Sequence, residues 1–309
     1  MNETPPVGEA GLGAYAREQI HRHCRDPRLD RDRGAAIADF WDATEEAERL
    51  LTLGILGLHE LRHTLERHER ELGAQHTDAA LDFNTRSSLQ AAWERSESAR
   101  IEIGHGYPHL YAQALLSLNS ALDAMVEDLS NTWRGFRVKP AVEHLMARAS
   151  EEVPDALTSL SPEAVSAITE VLTTTVAEKA LGKAERLHGS GVDRYERVLV
   201  QLGLAAPADR PLPSDLVEAL TEISAIRNVL VHRAGRIDLR ALGEAPTLHP
   251  RYKLGNLVRL LRSDYQRYSA AIRCYAAEIS FRGIRNWPEV SDADAPDLAS
   301  WQNYRLLGV

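Results

Sequence analysis

The chain has 309 residues, 44% of them hydrophobic, and a formal net charge of −9. That length allows roughly two domains with a substantial core, and the ordinary apolar content excludes a disordered chain. The acidic balance argues against indiscriminate nucleic-acid binding. Only Cys24 and Cys274 are present; two distant cysteines make neither a disulfide framework nor a metal cluster and fit a reducing compartment. The start, Met1-Asn2-Glu3-Thr4-Pro5-Pro6, is polar and acidic, unlike a secretory leader. The most apolar run, Leu50 to Leu58, is too short to cross a bilayer. The expectation is a cytoplasmic protein with no membrane partner.

Leu and Ala recur at helical spacing and strand-like alternation is nearly absent, so the predicted class is mainly α. An N-terminal helical region, 1–103, holds helices over about 35–72 and 78–100. Gly104-His105-Gly106-Tyr107-Pro108 breaks the pattern and is placed as a domain boundary. The second region, 104–286, opens with a helix over 108–129 whose Leu115, Leu118, Leu122, Met125, Val126 and Leu129 form an apolar stripe. A proline-interrupted stretch follows over 132–162, then helices over 163–188 and 193–202. Ser214 can cap the next helix, which stops near Gly235. A loop over 241–250 and a long helix over 254–282 complete the region, and 287–309 reads as an acidic tail.

The helix after Ser214 ends in Arg227-Asn228-Val229-Leu230-Val231-His232. An arginine offers phosphate a planar, permanently charged fork, and a histidine moves protons near neutral pH. Leu216, Leu220, Ile223, Ile226 and Leu230 cluster on one side at about 100° per residue, and Arg227 falls within that stripe. A charge there needs a partner, a pocket or an interface. Asn228 and His232 share a face, whereas Arg227 and His232 stand about 140° apart and could converge on one phosphate only with long side chains, a distorted last turn or a second subunit. Asn119, Asp123 and Glu127 form a polar ridge on the 108–129 helix; one of them could pair with Arg227 or orient His232. From Arg233 to Asn286 the chain carries eleven Lys and Arg against four Asp and Glu, which suits either an RNA-binding face or a solvated helix face.

These residues resemble the HEPN superfamily, helical domains that often act as ribonucleases. The signature is Arg, a polar residue, further residues, then His, and it reads here as Arg227-Asn228 to His232. Leu118-Asn119-Ser120-Ala121-Leu122-Asp123-Ala124-Met125 looks like the family's first core helix, and Tyr195-Glu196-Arg197-Val198-Leu199 like its short helix before the motif helix. The resemblance covers about 108–285. It implies a HEPN-like helical bundle, carrying here an additional N-terminal helical region. It also implies a homodimer with facing motif helices, and RNA cleavage without a metal or cofactor. Arg227 would bind the scissile phosphate, His232 would transfer protons, and Asn228 would orient either. The family commonly serves as toxins or anti-phage effectors, so an antitoxin or regulatory partner is an expectation. Some members are silent modules that bind nucleotides or proteins. Without the resemblance, Arg227 could be a buried ion-pair partner and His232 could serve the helix C-terminal carbonyls.

A second motif, His59-Glu60-Leu61-Arg62-His63, matches the zinc-hydrolase pattern H-E-x-x-H. His68 falls on the opposite side of the helix, Arg62 puts a cation beside the proposed metal, and no third ligand appears at a suitable spacing. No P-loop, dinucleotide-binding glycine pattern or Ser/Cys nucleophile motif is present, so no metal or cofactor is expected.

Overall fold

The computed structural model describes residues 31–75, 83–133, 138–152, 160–186, 191–206 and 211–285. In chain order they form α1 (Arg31–Gln75), α2 (Phe83–Gly104), α3 (Pro108–Trp133), α4 (Lys139–Glu152), α5 (Pro162–Arg186), α6 (Val192–Gln201), α7 (Ser214–His232), α8 (Leu239–Glu244), a 3-10 turn at Pro246–Leu248 and α9 (Arg262–Arg285). Among the described residues the extended pairing is one isolated antiparallel bridge, Arg236 with Leu257. The protein is mainly α.

α3 runs through the middle of the core. Leu115, Leu118, Leu122 and Met125, spaced three and four apart, are almost wholly buried on one stripe. α1 lies along α3 and inserts Ile37, Phe40 and Trp41, and α7 and α9 pack against α3 as well. At 45 residues, α1 is about 68 Å long. Beyond Ala47 one face still meets the bundle through Leu51 and Gly54, while Leu50, Leu53 and Leu56 face solvent. α5 joins the bundle through α6 and carries α4 on its outside, where Val138, Val142 and Met146 form a small cluster of their own.

The break expected as a domain boundary is a tight turn between α2 and α3. Gly106 (φ 76°) and Tyr107 (φ 64°) are left-handed there. The Glu102 carboxylate accepts from the backbone N–H of His109 (2.8 Å) and Leu110 (3.4 Å), satisfying donors that the first turn of α3 leaves open. One buried cluster takes in Ile37 and Phe40 before this turn and Leu118 and Tyr268 after it.

Three local expectations are corrected. Ser214 does not cap α7: Pro213, at φ −55° and ψ 139°, holds the cap position without a side-chain bond, and Ser214 already lies inside the helix. The stretch 241–250 is not a plain loop. Asp238 caps α8 by accepting from the Ala241 N–H at 2.8 Å, and burial of Leu242, Ala245 and Leu248 holds α8 and the 3-10 turn down. The last helix begins at Arg262, not at 254. Residues before it are drawn into pairing with the loop after α7: the Val258 N–H donates to Gly235 O (2.8 Å) and the Ile237 N–H to Asn256 O (2.9 Å). Asp264 then accepts from the Leu261 N–H at 3.0 Å and starts α9. The expected helix start at Asp78, the end at His188 and the tail 287–309 lie outside the described residues.

Candidate functional site

α7 is held by Leu216, Ala219, Leu220, Ile223, Ala225, Ile226 and Val229, all buried. The start of α6 approaches it closely. A Cβ on Gly191 (φ 60°) would meet Ser224 Cβ at 3.0 Å and Leu220 O at 3.3 Å, so any larger residue would push α6 off α7. After His232 the chain reverses through two left-handed residues, Ala234 (φ 48°) and Gly235 (φ 73°). Val229 O accepts from both the Arg233 N–H (2.9 Å) and the Gly235 N–H (3.1 Å), which closes the helix end.

Arg227 lies at the rim of the buried arc, with 39% of its side chain exposed. Its Nη2 stands 3.9 Å from Asp123 Oδ2 on α3, and its Nη1 donates to Asn228 Oδ1 at 3.4 Å. Of the ridge Asn119, Asp123 and Glu127, Asp123 is thus the member that meets Arg227. Asp123 also accepts from the Tyr195 hydroxyl of α6 at 2.5 Å and from Asn119 Nδ2 at 3.3 Å. Burial, reinforced by the Asp123 charge, pushes the Tyr195 phenol far above its ordinary value, so it remains a donor. The carboxylate is fixed from two sides, yet it grips the guanidinium only at the edge of ion-pair distance. A bidentate pair would fill the arginine fork; this one leaves N–H donors free for a ligand. His232 is exposed on the last turn of α7. Asn228, half-buried, lies one turn below it.

The charge that α7 does bury is Glu222, at 2% exposure. It accepts from Thr247 Oγ1 (2.6 Å), Tyr268 OH (2.6 Å) and Arg267 Nη1 (2.5 Å), and Arg251 Nη1 stands 3.8 Å away. Burial alone would raise this carboxyl, but the bonds from Thr247, Tyr268 and Arg267 outweigh it and hold it below the ordinary range. The sequence held a signal for this position. Adding Ala225 and Val229 to the Leu/Ile stripe widens the buried arc until Glu222 falls inside it.

Six of the arginines after the motif are paired with carboxylates. Arg233 pairs with Asp238, Arg240 with Glu244, Arg251 with Asp264, Arg267 with Glu218 and Glu222, Arg273 with Glu48, and Arg282 with Glu196 and Glu278. Several of these acids lie far upstream, so much of the local basic excess ties α9 to α1, α6 and α7. Arg236 and Arg259 have no carboxylate partner among the described residues.

At the zinc-like motif, His59 Nε2 meets the Tyr107 hydroxyl at 2.7 Å, and His63 Nδ1 lies 3.5 Å from Glu66 Oε2. The two histidines engage different neighbours. Among the described residues no three His, Cys, Asp or Glu side chains gather as a metal site. Cys274 is largely buried, and burial pushes its thiol up to about 11, away from the reactive thiolate. Among the described residues no helix is long and apolar enough to cross a membrane.

Compared with protein-family models, curated proteins and solved structures, the chain matches none.

Proposed function

We propose that the protein is a metal-independent endoribonuclease of HEPN type, acting as a homodimer whose α7 helices face each other. The observation that carries this reading is Arg227 at the rim of α7, backed by Asp123 with its fork largely free, one and a half turns below an exposed His232. In the proposed reaction the RNA 2′-oxygen attacks the adjacent phosphorus and the P–O5′ bond breaks, leaving a 2′,3′-cyclic phosphate and a 5′-hydroxyl. One His232 takes the 2′-OH proton and the other protomer's His232 protonates the departing 5′-oxygen. Arg227 holds the scissile phosphate and stabilises the charge that develops on it, and Asn228 orients His232 or the phosphate. The separation of about 140° between Arg227 and His232 on one helix favours the dimer, in which facing helices would bring one copy's arginine toward the other's histidine. A toxin or anti-phage role in the cytoplasm, checked by an antitoxin or regulator, follows from the same resemblance.

The test is cleavage of total cellular RNA in EDTA by wild type and His232→Ala, with the product ends mapped. Cleavage by wild type alone, leaving 2′,3′-cyclic phosphates, is the expected result. Cleavage by both proteins would place the chemistry elsewhere. Cleavage by neither would favour a silent HEPN-like binding module, in which the Asp123–Arg227 pair only joins α3 to α7.

A further inference from the structure

An open groove of about 690 Å³ lies beside the end of α7. Arg236, Arg251, Arg259 and Asn256 line it with polar groups, and Leu257 and Leu261 line it with apolar surface. The groove is built onto the motif helix. The bonds from the Val258 N–H to Gly235 O and from the Ile237 N–H to Asn256 O pin its wall to the chain that leaves His232.

Its charges are unequally compensated. Arg251 is bound to Asp264 at 2.6 Å and to the Tyr268 hydroxyl at 3.0 Å. Arg251 is therefore a fixed part of the frame, and it cancels the one carboxylate in the lining. Arg236 donates one bond to Gly255 O at 3.2 Å, and both it and Arg259 lack an acidic partner among the described residues. Asn256 spends its side-chain oxygen on the Lys253 N–H at 2.7 Å, which leaves its NH2 to donate. The groove thus presents two uncompensated guanidinium groups and an amide donor beside two half-exposed leucines. Cationic forks and donors suit phosphodiester oxygens, and the leucines suit the apolar faces of sugars or bases.

We propose that this groove binds the backbone of a single-stranded RNA next to the scissile phosphate. The inference rests on the ribonuclease reading for the identity of the strand. Arg236 follows His232 by four residues, so their Cα atoms are no more than about 14 Å apart. The groove is therefore within reach of a strand seated at Arg227 and His232.

The experiment measures fluorescence anisotropy of a labelled single-stranded RNA on full-length His232→Ala, across a salt series. The same chain is then measured with Arg236→Ala and Arg259→Ala added. The double groove variant is expected to bind at least tenfold more weakly. Its log-affinity against log-salt slope should be shallower by about 1.4, since each single-strand phosphate contact contributes about 0.7. Arg259→Ala alone, which breaks no bond within the protein, should give about half the change in slope. Arg236→Lys with Arg259→Lys should restore most of the affinity, because the charge returns. Unchanged binding in the groove variants overturns the proposal, as does absence of RNA binding in the parent. Loss of polyglutamate binding equal to the loss of RNA binding would mark a site for acidic peptides and overturn it too. The two readings separate cleanly. RNA cut by wild type while groove variants bind normally removes the groove alone. RNA bound in the groove but never cut removes the ribonuclease reading alone.

Discussion

Glu222 and Arg227 lie five residues apart on α7, and the fold treats their charges in opposite ways. Glu222 faces α9 and the 3-10 turn, is almost completely buried, and has bonds from Thr247, Tyr268 and Arg267. Arg227 faces α3 at the rim, is partly exposed, and has one loose carboxylate neighbour. A buried charge held by three donors stabilises its surroundings only as a set and has little left to offer a ligand. A half-exposed charge with unfilled donors contributes little to stability and retains its capacity to bind. The first half of α7 is therefore framework, and its last turns are the candidate site.

Substitutions at the two ends should separate these roles. At the site end, His232→Ala is expected to lower RNA cleavage about 10²–10⁴-fold, the usual weight of a positioned proton-transfer group. Its thermal midpoint should stay at the wild-type value, because the side chain is exposed. A drop in midpoint would instead make His232 part of the framework. At the framework end, Glu222→Ala strips the Tyr268 hydroxyl of its acceptor and leaves Arg267 with Glu218 alone. Chemical denaturation should record a loss of about 3 kcal/mol, the lower end for a broken buried ion pair because the arginines keep some contact with water. The same carboxylate sets an acid limit. Its pKa is lowered in the folded chain, so its stabilisation is present above the unfolded value of about 4.3 and is lost as pH falls through the depressed folded value. Glu222→Gln should flatten the stability–pH curve in that window; a curve parallel to wild type would assign the acid limit to other carboxylates.

A smaller effect is expected where the two halves meet the rest of the bundle. Asp123→Ala strips the buried Tyr195 hydroxyl of its acceptor and frees Arg227, at a cost of about 1–3 kcal/mol for the orphaned donor. Tyr195→Phe in the Asp123→Ala background should recover part of that loss, and calorimetry on the pair measures the coupling. Smallest is Gly235→Ala. Its φ of 73° costs a side chain about 1–2 kcal/mol, and the nearest neighbours of the added Cβ, Leu230 and Leu257, stand at ordinary contact distance. A shift in thermal midpoint beyond a few degrees would mean that the turn after α7 bears more of the fold than its hydrogen bonds indicate.

Much of the helical order was legible because its signals are local. The stripe from Leu115 to Leu129, the short helix over 193–202 and the break before Pro108 each follow from spacing or backbone chemistry within one helix. The Asn119–Asp123–Glu127 ridge was legible as a set of candidates. Which member meets Arg227 depended on the rotation of α3 against α7, and spacing within one helix does not contain that angle. The late start of α9 and the presence of α8 were missed for a related reason. Residues 253–261 bond to the loop after α7, and that tertiary competition outweighs a helical pattern.

The sequence by itself determined the mainly α class, the apolar faces and the grouping of Arg227, Asn228 and His232 at one helix end, because periodicity and short-range spacing are properties of a single strand of text. Only the tertiary structure decided which charges became framework. Glu222 found Thr247, Arg267 and Tyr268, and Arg282 found Glu196, across separations where no sequence rule pairs residues. The same packing left Arg236 and Arg259 without acidic partners beside the groove. A charge is free or spent according to what burial brings within a few ångströms of it, and that is fixed only when the helices meet.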